Sequence, residues 1–345
     1  MASQSCLISC VFLLLVCAAL PSQTRAENSR EVIDQIKRVN ARGESIGVVV
    51  SGNDELDVMM EDRLFVPFRD RPSVALSNRR YHVGDIAGRR AIVVMSGSGM
   101  ANAAEATQLL LTHFNVRTVV HYGRASNANP KEVNIGDVVI PKEFADCGVW
   151  HLETFGGDEG KYRRDIAKLT FADFNVEKAA NSLESAYFQP QELGNGEEKF
   201  FINVDNELYD LARKMEESVN LDKCEEGTDK CLERQPRVRR VESGCSGNID
   251  VNNVAYRDFL RNNLEITSID YESAAIASVC VNERRRFLAM LSSYDFAGGF
   301  PRGKNDLKVI QELWRAHLRE SIGALFNLLP KADMNLRSVT GSKIW

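Results

Sequence analysis

At 345 residues, 44% hydrophobic and 26% charged, the chain has an ordinary globular composition and the length for one large α/β domain. A formal net charge of -5 excludes a dedicated nucleic-acid binder, which needs a clustered positive face. The two dense basic runs, Arg237-Val-Arg-Arg240 and Arg284-Arg-Arg286, read as solvated faces.

Cys6 to Leu20 is an apolar run too short for a membrane span of about 20 residues, and Thr24-Arg25-Ala26 after it offers a small-residue cleavage pattern. Residues 1–26 are therefore expected to be a secretory signal peptide, followed by a single domain over 27–345 that has no membrane association once cleaved. That places the mature protein in the secretory pathway, bound for the vacuole or the cell exterior. Five cysteines would remain. Cys224 and Cys231, in a polar stretch near 221–236, are the expected disulfide, and Cys147, Cys245 and Cys280 are expected as buried thiols. The histidines are scattered and none lies near the cysteine pair, so no metal and no cofactor is expected.

Glu31 to Val39 reads as a short amphipathic helix. Ile46-Gly-Val-Val-Val50 is a continuous apolar run of the kind buried on both faces of a sheet. Arg79–Val83 and Ala91–Ser96 flank a Gly-containing turn and predict a hairpin. Gly97 and Gly99 then let the backbone approach a ligand, with the free N–H groups of a helix from Met100 facing it. Arg117–Tyr122 and Val138–Pro141 are further strands; 147–200 is a loop-rich excursion. Val204–Val219, Val251–Arg261 and Tyr271–Asn282 predict helices, and Arg237–Glu242, Ile266–Asp270 and Phe287–Ser293 predict strands. A long helix over Asp306–Leu329 carries Leu307, Ile310, Trp314, Leu318, Ile322, Leu325 and Leu329 at core spacing. Strands and helices alternate without a linker, which predicts one three-layer α/β domain: a central twisted mixed sheet flanked by helices.

Gly97-x-Gly99-x-x-Asn102 has the outline of a dinucleotide fingerprint and fails it. The third small residue is Asn102, and no acid follows the next strand at the required distance. Several blocks in order, Ile46–Val50 with Glu55, Ser96-Gly-Ser-Gly99, Asn134-Ile-Gly-Asp-Val-Val-Ile-Pro141, Ile269-Asp-Tyr-Glu-Ser273 and Tyr294-Asp-Phe-Ala-Gly-Gly299, instead resemble the nucleoside phosphorylase and methylthioadenosine nucleosidase family. The charged insert with its cysteine pair is most similar to the plant branch that includes bark and vegetative storage proteins.

That resemblance implies a homo-oligomer with a small-molecule pocket at the carboxyl ends of the strands. It implies Glu55 as the carboxylate that activates water, Glu272 as the acceptor for ribose hydroxyls, and Asp295 as the acid that protonates the leaving base. Ser96 and Gly97 would touch the sugar or the nucleophile. The departures are equally specific. The second glycine-rich loop of the family appears as Gly123-Arg-Ala-Ser-Asn127, which puts Arg124 beside the pocket either to recruit an anion or to plug it. His121 replaces the phosphate-binding arginine, which disfavours phosphorolysis relative to hydrolysis. Asp250 stands where relatives stack an aromatic on the purine, which removes about 1–3 kcal/mol for a neutral base. Tyr271 and Tyr294 replace smaller residues. The expected function is a small-molecule site with inherited carboxylates and a rebuilt base pocket, acting on a nucleoside or on a different, possibly cationic, metabolite. The alternatives are a storage protein with a vestigial site and a conventional purine nucleosidase.

Overall fold

The computed structural model describes residues 30–61, 63–154, 166–170, 183–299 and 304–329, so the expected signal peptide lies outside the described residues. Helix α1 (30–40) leads into β1 (Ser45–Val50) and α2 (Asn53–Met60). Strands β2 (Phe65–Pro67), β3 (Ser73–Leu76), β4 (Arg79–Ile86) and β5 (Arg89–Met95) follow, and β4 with β5 forms the expected hairpin. After α3 (Met100–His113) come β6 (Val116–Asn127) and β7 (Val138–Asp146). The stretch expected as a loose excursion holds a three-stranded sheet of β8 (Trp150–Thr154), β9 (Lys168–Thr170) and β10 (Leu183–Phe188), then a ribbon of β11 (Gln191–Glu192) and β12 (Glu198–Lys199). The chain continues through β13 (Phe201–Asn203), α4 (Asn206–Ser218), β14 (Val238–Ser246), α5 (Val254–Leu264), β15 (Ile266–Asp270), α6 (Ser273–Asn282), β16 (Arg286–Phe296) and α7 (Lys304–Leu328).

The main sheet has eleven strands and is mixed, as expected. Val48, Val49 and Val50 of β1 are fully buried because β5 and β6 run parallel to it on either side. At Gly47 a Cβ would stand 2.6 Å from Leu110 Cδ2, so only glycine lets α3 lie this close on the strand. Further along, β6 pairs with β16, β16 with β7, β7 with β14, β14 with β15, and β15 again with β6. These five strands close a ring, from which β1, β5, β4 and β2 extend the sheet on one side. Helices α3 and α6 pack on each other, while α7 packs against β16, α2 and α4. The apolar stripe of α7 is core as expected, with Ile310, Leu318, Ile322 and Leu325 fully buried.

Three local expectations are corrected. Gly123 to Asn127 is no loop: β6 runs straight through it, held by parallel pairing with β16 from Arg286↔Thr118 to Phe296↔Asn127. Cys147 and Cys245 are no free thiols but a disulfide, because parallel pairing of β7 with β14 sets Cys245 beside Ala145 and brings the next turn within reach. Cys280 is buried and free, and Cys224–Cys231 is bonded, both as expected. Helix α5 starts at Val254 rather than Val251 because the Asn253 side chain accepts from Tyr256 N–H and caps it there.

Candidate active site

A cavity of about 290 Å³ opens at the ends of β1, β6, β15 and β16. It is lined by Ser51, Gly52, Glu55, Ser98, Arg124, Ala125, Ser126, Asp250, Ile269, Asp270, Tyr271, Glu272, Tyr294 and Asp295. Glu55, Arg124, Asp250, Tyr271, Glu272, Tyr294 and Asp295, all expected from the sequence, are therefore brought to one place. Ser96 and Gly97 are not on its wall. The Ser96 hydroxyl turns inward to donate to Val50 O at 3.2 Å and Gly97 O at 2.8 Å, and Ser98 takes the lining position.

Glu55 sits in the first turn of α2, which the Tyr122 hydroxyl ties down by donating to Glu55 O at 3.2 Å. Its side chain is 2% exposed, and Oε1 accepts from Arg124 Nε at 2.8 Å. The other oxygen, Oε2, is buried and has no hydrogen-bond partner among the described residues. Arg124 reaches Glu55 because β6 continues past Gly123. Its guanidinium lies 5.3 Å from the Tyr294 ring centre and 4.9 Å from that of Trp314, with Asp54 Oδ2 at 3.7 Å. Two rings and two carboxylates thus hold this cation against the wall.

In a regular strand Tyr294 and Asp295 would point to opposite faces. Here a bulge does otherwise: Ser293 pairs with Ala125 and Asp295 with Ser126, which leaves Tyr294 as the extra residue and sends both side chains to the cavity. Asp295 Oδ1 is buried without a hydrogen-bond partner among the described residues. Burial pushes the Asp295 carboxyl above its ordinary range, against a hydrogen bond with Ser126, and the nearby Asp250 adds to the rise. Tyr271, 36% exposed at the mouth, has its phenol pushed up by burial and then by Asp250, Asp295 and Glu272.

The glycine turn before α3 is occupied from within. Gly99, at φ +98°, aims its N–H at Glu272 Oε1, 2.8 Å away, and Asn248 Oδ1 accepts from Met100 N at 3.1 Å. The helix start that was expected to face a ligand is therefore capped by the chain's own side chains, a role sequence periodicity does not reveal. Glu272 is the residue that enters α6, and burial followed by the neighbouring Asp270 raises its carboxyl.

Beneath Glu272 lies a network that the sequence reading missed. Asp270 accepts from the hydroxyls of Ser246 and Ser273 and from Ser273 N, while Ser246 Oγ accepts from Ala274 N at 2.8 Å. His121 Nδ1 lies 2.9 Å from Val49 O and Nε2 lies 3.6 Å from Asp270 Oδ2. Burial alone would lower the His121 imidazole; Asp270 and Glu272 beside it outweigh that and raise it. His121, Asp270 and Glu272 present ligand atoms within 4.8 Å of one another, the candidate metal-holding set among the described residues. Asp270 already accepts three donors, the Ser246 and Ser273 hydroxyls and Ser273 N.

A model of the Phosphorylase superfamily matches residues 45–329. Bark storage protein A of Populus deltoides is 27% identical over 288 residues, spanning 81% of this chain and 89% of that protein. The 5'-methylthioadenosine/S-adenosylhomocysteine nucleosidase of Psychromonas ingrahamii is 23% identical over 254 residues, spanning 73% of this chain and 86% of that enzyme. Among solved structures, the corresponding nucleosidase of Neisseria meningitidis, in complex with methylthio-immucillin-A, superposes with a TM-score of 0.57 at 20% identity, covering 83% of this chain and 99% of that one. Futalosine hydrolase of Helicobacter pylori gives 0.56 at 16% identity, covering 83% and 98%.

Proposed function

The chain belongs to the phosphorylase superfamily, and from that premise we propose that it hydrolyses the N-glycosidic bond of a nucleoside-like small molecule. The observation that carries this reading is a pair of buried carboxylate oxygens, Glu55 Oε2 and Asp295 Oδ1, that lack partners among the described residues and belong to residues on the wall of one cavity. Buried polar atoms are ordinarily satisfied, so two such acceptors in one pocket favour a bound molecule that brings donors. In the reaction, Glu55 Oε2 takes a proton from the attacking water and Glu272 accepts from sugar hydroxyls. Asp295, its carboxyl raised by burial, stands on the same wall to face the departing base. His121 in place of a cation committed to phosphate supports hydrolysis over phosphorolysis.

The Arg124–Glu55 ion pair supports a second reading. If the pair is permanent, Glu55 is neutralised and the protein serves as a storage protein, like its 27% identical bark relatives. Either way, the Cys147–Cys245 and Cys224–Cys231 bonds support a mature chain in the secretory pathway.

Release of free base from a nucleoside panel, followed chromatographically, separates the two. Hydrolysis is expected to fall by about 10²–10⁴ in Glu55→Gln, the range for loss of a general base, with the fold intact by circular dichroism. No turnover of any riboside by the native protein would leave the storage reading.

A further inference from the structure

The charges around the cavity do not balance. Arg124 is matched by Glu55 at 2.8 Å and His121 by Asp270 at 3.6 Å. What remains on the wall is Asp250, Glu272 and Asp295, with no further cation lining the cavity among the described residues. Glu272 receives the Gly99 N–H, whereas Asp295 Oδ1 receives no donor among the described residues. Asp250 lies near enough to Asp295 to lift its carboxyl, and it does the same to the Tyr271 phenol at the mouth. Glu55, 1% exposed and also on the wall, leaves Oε2 unpartnered there. On the cavity wall Asp250 and Asp295 thus set two carboxylates beside the Tyr271 ring, against the single lining cation among the described residues, Arg124, which Tyr294 and Glu55 already hold; the balance favours a ligand with positive charge.

We propose that the base end of this pocket selects a cationic leaving group, so that the substrate is an N-riboside whose base carries a fixed positive charge. This rests on the hydrolase reading and narrows it. The chemistry balances without an added acid. The C1′–N bond breaks and its electron pair passes to the ring nitrogen, which becomes neutral. The oxygen of water bonds to C1′, and the proton it loses goes to Glu55 and then to solvent. Asp295 therefore needs no proton to give; as a carboxylate beside Asp250 it attracts the cation in the ground state. A cavity of about 290 Å³ stands at the small end of ligand sites and suits one nucleoside-sized molecule.

The test uses the purified protein with its disulfides intact and two probes that differ by one methyl group and one charge, 7-methylguanosine and guanosine. Calorimetry is expected to show 7-methylguanosine binding at least about tenfold more tightly, as a charge-assisted contact outweighs a neutral one. Asp250→Asn is expected to shrink that ratio several-fold, and raised salt to erode it further. Equal binding of the two probes, or hydrolysis of guanosine in preference, would overturn the cationic selectivity and leave the hydrolase reading standing. Failure of both probes and of a neutral nucleoside panel to bind or react would overturn both.

Discussion

The floor of the cavity and its wall carry the same kind of group and treat it in opposite ways. On the floor, Asp270 accepts two hydroxyls and a backbone N–H, Ser246 passes on the hydrogen bond from Ala274, and His121 Nε2 stands 3.6 Å from Asp270 Oδ2. On the wall, Glu55 and Asp295 each keep one buried oxygen without a partner among the described residues. Asp270 and Glu55 are both almost wholly buried, at 4% and 1% exposure, so burial does not distinguish them. Partnership does. A carboxylate whose acceptors are all filled holds the ends of β14 and β15 and the start of α6 together; one left with a free oxygen is available to a ligand.

The largest effect that would sharpen this contrast is on the floor. Asp270→Ala strands the His121 imidazole and the hydroxyls of Ser246 and Ser273, and removing one member of a buried pair costs about 3–5 kcal/mol. Thermal unfolding is expected to show a loss of that order, while Glu55→Gln, whose partner Arg124 is 35% exposed and keeps Asp54 and two rings, stays within about 1 kcal/mol of the parent. Equal losses at the two positions would dissolve the distinction. Of comparable size is Cys147–Cys245, the bond beside Ser246 that clamps the same strand end. It spans 98 residues against 7 for Cys224–Cys231, so loop-closure entropy assigns about 4–5 kcal/mol to the first and about 2 kcal/mol to the second. Serine pairs at each bridge, compared by denaturant midpoint, test that order.

The wall was legible in the sequence and the floor was not. Glu55, Glu272 and Asp295 stand in the short blocks that resemble the nucleoside phosphorylase family, and that resemblance nominated them. Tyr271 and Tyr294 followed from the same blocks, and Asp250 from the position where the resemblance implies a stacking aromatic. The floor depends on contacts between elements far apart in the chain: Ser246 ends β14, Asp270 ends β15, and His121 lies in mid-strand on β6, brought together only by the closed ring of strands. The disulfide of Cys147 with Cys245 escaped for the same reason, since only the parallel register of β7 and β14 makes them neighbours. At the glycine turn, sequence shows that Gly99 can adopt φ +98° and where its N–H could point, but not that Glu272 already sits there. Likewise the loss of glycines at Gly123–Asn127 marked a change, and pairing with β16 turned it into strand rather than an altered loop.

The smallest effect concerns charge on the wall, and pH reads it. Asp295 has its carboxyl raised above 3.8, so the folded chain holds that proton more tightly than the unfolded one does. Its ionisation therefore costs stability at neutral pH; the cost recedes as pH falls through the folded value and is gone below the unfolded one. Glu272, raised above 4.5, acts with the same sign, and so does His121, raised above 6.5, whose contribution is present below that value and lost as pH rises through its folded one. His317 and His82, both lowered by burial, act the other way, so the absolute curve mixes both signs and the difference between variants is the clean quantity. Asp295→Asn is expected to gain about 1 kcal/mol over the parent near neutral pH, roughly 2 °C in melting temperature for a domain of this size. The gain should shrink toward zero as pH falls to about 4. A difference independent of pH would mean that Asp295 is satisfied in the folded chain and that the wall, like the floor, is structural.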